Sequence, residues 1–411
     1  MSGYRLVNPP SLSQWFESLE MQAEIFNKTP NFFYETSLRN RFFKLENVFI
    51  MLYGERVVSH VQVFPSLFNI GGVFIWGGGI GGVSTRPEHR GKGLATSLLE
   101  ASIRYMEVEN LPISVLYTTK YSFYGRLGWS EVVELSNFQP SLSDLKKFDI
   151  GSYTYTPLSE FDEMSSLMEI YNKNNVYRPL SRRRSPSDWI LQCLMREPFK
   201  EDLSLSSVQL KDNIPVGYMR IGYDKKSSSS FLLEAFSDSH EGYSSLLSYI
   251  GREAESIGCK SIKISLPEDH PLVSILLESG FTRETVKPGF TMFRINSLKG
   301  LLADISHYKK VGGWSGKLCL KTDKGLSDVP EEVYIEIDED GNIHILEEPP
   351  TYAAFISAPR ELWNKVACNM ITPQKMTVDP RVTIEGDPIT PLYEIFNKSM
   401  LRPYPWILDR F

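Results

Sequence analysis

The run Val83-Ser84-Thr85-Arg86-Pro87-Glu88-His89-Arg90-Gly91-Lys92-Gly93-Leu94-Ala95 decides how the rest of this chain is read. Gly82-Val83-Ser84-Thr85 is a short β-prone segment and Pro87 marks a loop. An apolar stripe at helical spacing then runs through Leu94, Leu98, Leu99, Ile103 and Met106. Arg90-Gly91-Lys92-Gly93 therefore sits where a strand gives way to a helix. Glycines there allow a tight turn and leave the amides uncovered. The first amides of a helix have no intrahelical partner and lie at the positive end of its dipole. Such a junction suits a phosphate or pyrophosphate, and Arg90 and Lys92 add charge beside it. No Gly-x-x-x-x-Gly-Lys-Ser/Thr occurs there, which excludes a Walker loop. The glycine-rich run Gly77 to Gly82 precedes the Val83 segment instead of following it, which excludes a dinucleotide fingerprint.

The whole chain sets wider bounds. With 411 residues, 42% of them hydrophobic and 12% aromatic, two or three domains with packed cores are expected. No run of 18 apolar residues is present, so no membrane span is expected. Met1-Ser2-Gly3-Tyr4-Arg5 begins no signal peptide, and a cytoplasmic protein is expected. Cys193, Cys259, Cys319 and Cys368 are far apart and read as buried free thiols. The histidines show no metal-ligand spacing, so no metal is expected. A net charge of −6 gives no reason to seek a nucleic acid.

The expected fold class is α+β, with strands and helices mixed throughout. A first domain covers 1–150. Helices are expected over Ser11 to Phe26 and Phe32 to Leu38. Strands are expected over Asn47 to Leu52, Val57 to Val63, Gly72 to Trp76, and at Val83. After the long helix, Pro112 to Tyr117 reads as a buried strand, and Tyr121 to Trp129 as a short helix and turn. A second domain, 151–295, repeats the plan, with a helix over Gly242 to Ile257 and Gly280-Phe281 echoing Gly128-Trp129. Its loop reads Asp238-Ser239-His240-Glu241-Gly242, and acids there would repel a pyrophosphate. A third domain, 296–411, holds the hairpin Glu332 to Ile337 with Asn342 to Leu346, strands at Gly316 to Lys321 and Tyr352 to Ile356, and helices from Pro359 and Pro391. Arg182-Arg183-Arg184, with Arg178, reads as a solvated or interface face.

Arg90-Gly91-Lys92-Gly93-Leu94-Ala95, preceded by Val83 to His89, resembles motif A of the GCN5-related N-acetyltransferase (GNAT) superfamily. That resemblance implies acetyl-CoA as co-substrate, its pyrophosphate held by the loop amides in a sheet that splits to admit it. The implied binding residues are Val83, Ser84, Thr85, Arg90, Gly91, Lys92, Gly93, Leu94 and Ala95. The amides of Val83 and Thr85 are candidate oxyanion donors. The whole chain resembles the Eis (enhanced intracellular survival) family: two tandem GNAT-fold domains, the second degenerate, then a sterol-carrier-protein-like α+β domain. Phe123-Tyr124-Gly125-Arg126-Leu127-Gly128-Trp129 is similar to that family's Tyr-Gly-Arg-Phe-Gly-Tyr run, and a C-terminal Phe is a further match.

This second resemblance implies a homo-oligomer, a hexamer, that acetylates a small-molecule or peptide amine. It implies Tyr124 as general acid, a phenol of reference pKa about 10. It implies the α-carboxylate of Phe411 as base, with burial raising its pKa. Pro403 to Leu408 is stiff and apolar, which favours a docked tail. Two departures matter. Arg410 stands where aminoglycoside-acetylating members carry an acid, with Asp409 one further back, and a cation there opposes a polycationic acceptor. Gly82 replaces a bulky apolar residue. Trp15 and Phe16 are candidates to line the acceptor pocket or to pack in the core. Two other readings are a non-catalytic protein that binds acyl-CoA and an apolar ligand, and a protein-lysine acetyltransferase.

Overall fold

A computed structural model describes residues 3–158, 164–189, 203–224, 227–324, 330–396 and 401–406. Asp409, Arg410 and Phe411 lie outside the described residues, as does Cys193. The fold is mixed α+β with three sheets, and contacts group it into two compact units.

The first unit comprises the described parts of Met1–Val132 and Phe290–Met400. Helix α1 (Leu12–Phe26) starts at Ser11, whose hydroxyl accepts from the Gln14 amide while the Gln14 side chain accepts from the Ser11 amide. Helix α2 (Pro30–Arg39) begins with proline at its first position, capped by Thr29. The strands are β1 (Tyr4–Val7), β2 (Val48–Tyr53), β3 (Arg56–Ile70), β4 (Val73–Thr85), β5 (Ile113–Tyr117) and β6 (Ser130–Glu131). Between β5 and β6 the sheet is completed by Thr291–Ile295 (β14), which arrives from far along the chain and pairs antiparallel with both neighbours. Helix α3 (Leu94–Val108) lays its stripe Leu94, Leu98, Leu99, Ile103 and Met106 on Val58, Val61, Val63 and Ile80. Each such fully buried side chain stabilises the fold by about 1.5–3 kcal/mol.

The glycine-rich run corrects the sequence reading. It does not precede the strand but lies inside β4, continuous from Val73 to Thr85. The reason is packing. A Cβ on Gly77 would stand 2.7 Å from Ile113 Cγ1, and one on Gly78 would collide with the Met106 sulfur. Strand β5 and helix α3 therefore rest directly on backbone.

The unit's other sheet runs β17-β16-β15-β18-β19. Its strands are β15 (Gly316–Lys324), β16 (Pro330–Ile337), β17 (Ile343–Leu346), β18 (Ala354–Ala358) and β19 (Thr383–Glu385). Gly341, at φ +79°, makes the turn between β16 and β17.

The second unit comprises the described parts of Val133–Gly289 and the tail from Leu401. Its strands are β7 (Glu134–Phe138), β8 (Thr154–Pro157), β9 (Leu203–Lys211), β10 (Ile214–Asp224), β11 (Ser229–Ser237), β12 (Ser261–Leu266) and β13 (Glu284–Pro288). They run β8-β9-β10-β11-β12-β7-β13. That order repeats the first sheet, β1-β2-β3-β4-β5-β14-β6, with β7 and β14 in equivalent places. Each sheet thus takes its sixth strand from the segment that, along the chain, borders the other.

The basic run is corrected in part, since Arg183 is exposed as expected. Arg178 and Arg184 are 4% and 5% exposed, not solvated. Arg184 pairs with the fully buried Glu234 and lies 4.0 Å over the Tyr171 ring. Arg178 pairs with Asp269 at 2.9 Å and donates to the Arg402 carbonyl. A buried carboxylate requires such a partner. The tail Pro403 to Trp406 is buried in this unit, with Trp406 Nε1 donating to Asn175 Oδ1 at 2.7 Å and its ring against Phe236. Trp406→Ala should therefore lower stability by about 3–5 kcal/mol in urea unfolding followed by circular dichroism. A loss under about 1 kcal/mol would show that the tail is not part of the core.

Candidate active site

Strands β4 and β5 pair in parallel only from Gly77–Ile80 to Ile113–Leu116. Beyond Ile80, β4 continues five residues while its β5-side edge has no strand partner among the described residues. The register of β4 on β3 slips between His60 and Gln62, opposite Gly82 (φ +62°). The Arg86 amide donates to Val58 O on β3 at 2.9 Å. Strand amides alternate in direction, so those of Thr85 and Val83 point to the open edge. Arg86 fixes this end: its guanidinium donates to Val57 O and to the Glu24 carboxylate.

The chain then makes one 3-10 turn, Pro87–His89, and reaches the loop. Gly91 and Gly93 both have φ +75°, a left-handed conformation that glycine adopts freely. Gly93 is the N-cap of α3 and offers no side chain to its amides. Among the described residues, nothing accepts from the amides of Gly91 through Thr96; the first α3 amide in use is Ser97, on Gly93 O. The Leu94 side chain is in the core, 2% exposed, so only its amide faces the loop. Arg90 Nε donates back to Thr85 O at 3.0 Å, and Lys92 Nζ is held on the Tyr4 hydroxyl at 2.9 Å.

The equivalent helix of the second unit, His240–Ser256, starts differently. Ser239 Oγ accepts from the Gly242 amide at 3.1 Å and meets the Tyr153 hydroxyl at 2.9 Å. A Cβ on Gly242 would collide with Ser237 Oγ. That helix start is closed by its own side chains.

Tyr124 lies on the short helix α4 (Tyr121–Gly125), 9% exposed, in the same core cluster as Leu94 and Ile80. Phe123 and Trp129 meet its ring edge-on. Burial pushes its phenol up to about 12, so the hydroxyl carries its proton at any physiological pH. Tyr121 and Phe123 pack against that cluster. Trp15 is a core residue, 3% exposed, whereas Phe16 is 48% exposed. Among the described residues no group of His, Cys, Asp or Glu is placed to hold a metal, and no helix is long and apolar enough to cross a membrane.

The sequence reading missed a buried polar cluster beside the split. His60 is fully buried, and its Nδ1 bonds Gly82 O at 2.9 Å. A carbonyl partner requires a hydrogen on Nδ1, which leaves a bare lone pair on Nε2. That atom, Gln62 Nε2 and Ser84 Oγ have no partner among the described residues. A Cβ on Gly82 would come within 2.5 Å of Gln22 Oε1 and 2.8 Å of His60 Cε1, which explains the glycine. The signal was a lone histidine in the apolar run Val57 to Val63.

Residues 6–132 match the acetyltransferase (GNAT) domain family. A search of curated protein sequences found no match. A GCN5-related N-acetyltransferase from Anabaena variabilis superposes with a TM-score of 0.77 at 15% identity, covering 99% of this chain and 100% of that one. A probable N-acyltransferase from Enterococcus faecalis gives 0.79 at 17% identity, with 99% of each chain covered. Eis1 from Mycobacterium abscessus gives 0.68 at 13% identity, over 98% of this chain and 99% of that one. These likenesses are of fold.

Burial makes stability pH-dependent. It lowers the His60 pKa from 6.5 in the open chain to about 4. Between those values the unfolded chain binds the extra proton, so stability falls as the pH drops from about 6.5 to about 4, by about 1.4 kcal/mol per unit at most. His270, lowered to about 3 by burial and by Arg178, acts in the same direction in the second unit. In urea midpoints across this range His60→Gln should give a shallower fall than the wild type; equal slopes would contradict a neutral, buried His60.

Proposed function

We propose that this chain, an N-acetyltransferase by the GNAT domain in residues 6–132, moves the acetyl group of acetyl-CoA directly onto a small-molecule or peptide amine. One observation carries the reading: α3 opens on Gly93 with its first amides unused, whereas the equivalent helix start at Ser239 is capped. Six consecutive amides with free hydrogens, at the positive end of a helix dipole, fit a pyrophosphate. In this reading Arg90, Gly91, Lys92, Gly93, Leu94 and Ala95 hold the pyrophosphate, and Val83, Ser84 and Thr85 hold the thioester arm along the open edge of β4.

Acetyl-CoA supplies an activated acyl group; the chain supplies orientation and charge stabilisation. One of the two edge amides, Val83 or Thr85, donates to the oxygen that becomes an oxyanion, and the other is left for the thioester arm. Tyr124 is the general acid toward sulfur. With a thiol near 8.5 and the phenol near 12, full transfer from resting Tyr124 is uphill by about 5 kcal/mol. The hydroxyl therefore acts first as a hydrogen-bond donor, strongest as the C–S bond breaks. The proton lost by the amine goes to the α-carboxylate of Phe411.

The same proposal assigns a catalytic domain to 1–150 and a degenerate GNAT copy to 151–295, with β7 and β14 exchanged between the two, and a sterol-carrier-like domain to 296–411. Membership of the Eis family and a hexameric assembly belong to it. The end-to-end likeness to Eis1 and the repeated strand order support it.

Thiol release against a panel of amines tests the roles. Tyr124→Phe should lower kcat by about 10²–10³ with little change in the KM for acetyl-CoA, and removal of Phe411 should do likewise. Full activity in both variants would reject the assignment, and no turnover on any amine would favour a binding protein.

A further inference from the structure

A cavity of about 690 Å³ opens within the first unit, walled by the Tyr121 to Glu131 segment, β14 and the helix Arg360–Ala367. Five cationic side chains line it: Arg126, Arg294, Arg360, Lys365 and Arg381. Only three carboxylates do, Glu131, Asp323 and Glu361, while Asp379, outside the lining, holds Arg381 at 2.8 Å, so the uncompensated charge of this wall lies on its buried guanidiniums.

Two of the guanidiniums are buried, Arg294 at 1% and Arg360 at 6% exposure. Among the described residues Arg294 bonds neutral acceptors, Leu127 O at 3.0 Å and Asn296 Oδ1 at 2.7 Å. Arg360 donates from Nη1 to Ile295 O at 2.6 Å. Its Nη2 stands 3.7 Å from Glu331 Oε2, a carboxylate whose other oxygen accepts from Ser297 Oγ and the Lys299 amide. Arg360 Nε is buried with no acceptor among the described residues. A Cβ on Gly128 would lie 3.2 Å from Arg294 Nε and 3.4 Å from Arg360 Cδ, so both side chains crowd one glycine. Burial, and then Arg360, push Arg294 down to about 9. The lining carboxylates bring little relief: Glu361 is paired with Lys365, and Asp323 accepts from the Arg360 amide and Thr322 Oγ1.

Buried charges need partners, and planar guanidiniums match the oxygens of a phosphate. We propose that this cavity is a binding site for a small phosphate dianion, inorganic or carried by a phosphate monoester, held by Arg294 and Arg360 with Lys365 and Arg381 at its rim. The site is separate from the α3 loop. Through Arg294 on Leu127 O, the anion would also stiffen the turn that follows Tyr124.

Calorimetric titration of the full chain, already saturated with acetyl-CoA, tests this with inorganic phosphate and with glycerol phosphate. Saturation removes the α3 amides as a competing site. One phosphate per chain is expected, weakened about tenfold or more in Lys365→Gln/Arg381→Gln. Glu131→Gln, which removes a repelling carboxylate, should tighten binding, and it keeps the test decisive if the double variant does not fold. Tighter glycerol phosphate would mark a phosphorylated metabolite as the occupant, and tighter inorganic phosphate the free ion. No binding of either probe, binding unchanged in every variant, or binding seen only without acetyl-CoA would overturn the proposal.

Discussion

Gly93 begins α3 in a left-handed conformation and offers nothing to the helix's first amides. A glycine N-cap leaves the helix less stable by only about a few tenths of a kcal/mol than one with a serine or asparagine. The fold holds it open by packing around it. Leu94, directly after Gly93, is buried, and the stripe down to Met106 ties α3 to the sheet. Arg86, bonded to Val57 O, Val58 O and Glu24, fixes the strand end that feeds the loop. Arg90 closes the loop onto Thr85. The open edge of β4 exists because β5 leaves its pairing at Leu116 while β4 runs on to Thr85. Loop, edge and Tyr124 all border one core cluster, so displacement of α3 would disturb them together.

The two seven-stranded sheets repeat one order of strands with opposite treatment of the same junction. In one, glycines leave amides free; in the other, the Ser239 hydroxyl, itself held by Tyr153, accepts from the Gly242 amide. Local side-chain chemistry, not topology, separates a junction able to receive an anion from one that is finished without it. Function resides in sites carried on folds. The second unit has put its polar residues into stability: Arg184 on Glu234, Arg178 on Asp269, and a tail anchored through Trp406.

Much of this was legible in the sequence. The α3 stripe, its glycine entry, the buried strand Ile113–Tyr117 and the β16–β17 hairpin follow from periodicity and turn chemistry. The glycine-rich part of β4 was hidden because strand propensity reads side chains, and this strand needs their absence to admit Met106 and Ile113. The exchange of β7 and β14 was hidden because five-residue strands carry no label for their partners. The burial of Arg178 and Arg184 was hidden because a charge run looks the same whether its counter-charges are water or Asp269 and Glu234. Within the site the backbone donors were legible, whereas His60 and its unused Nε2 depended on the slip in β3–β4 register at Gly82.

The central claim is that free amides between Gly91 and Thr96 receive the diphosphate of an acyl-CoA. Calorimetric titration of acetyl-CoA into the wild-type chain and into Gly93→Val, whose β-branched side chain opposes a left-handed φ, addresses it directly. The account predicts one acetyl-CoA per chain in the wild type and loss of most of that affinity in the variant. Absence of binding to the wild type, or equal binding to both, would contradict it.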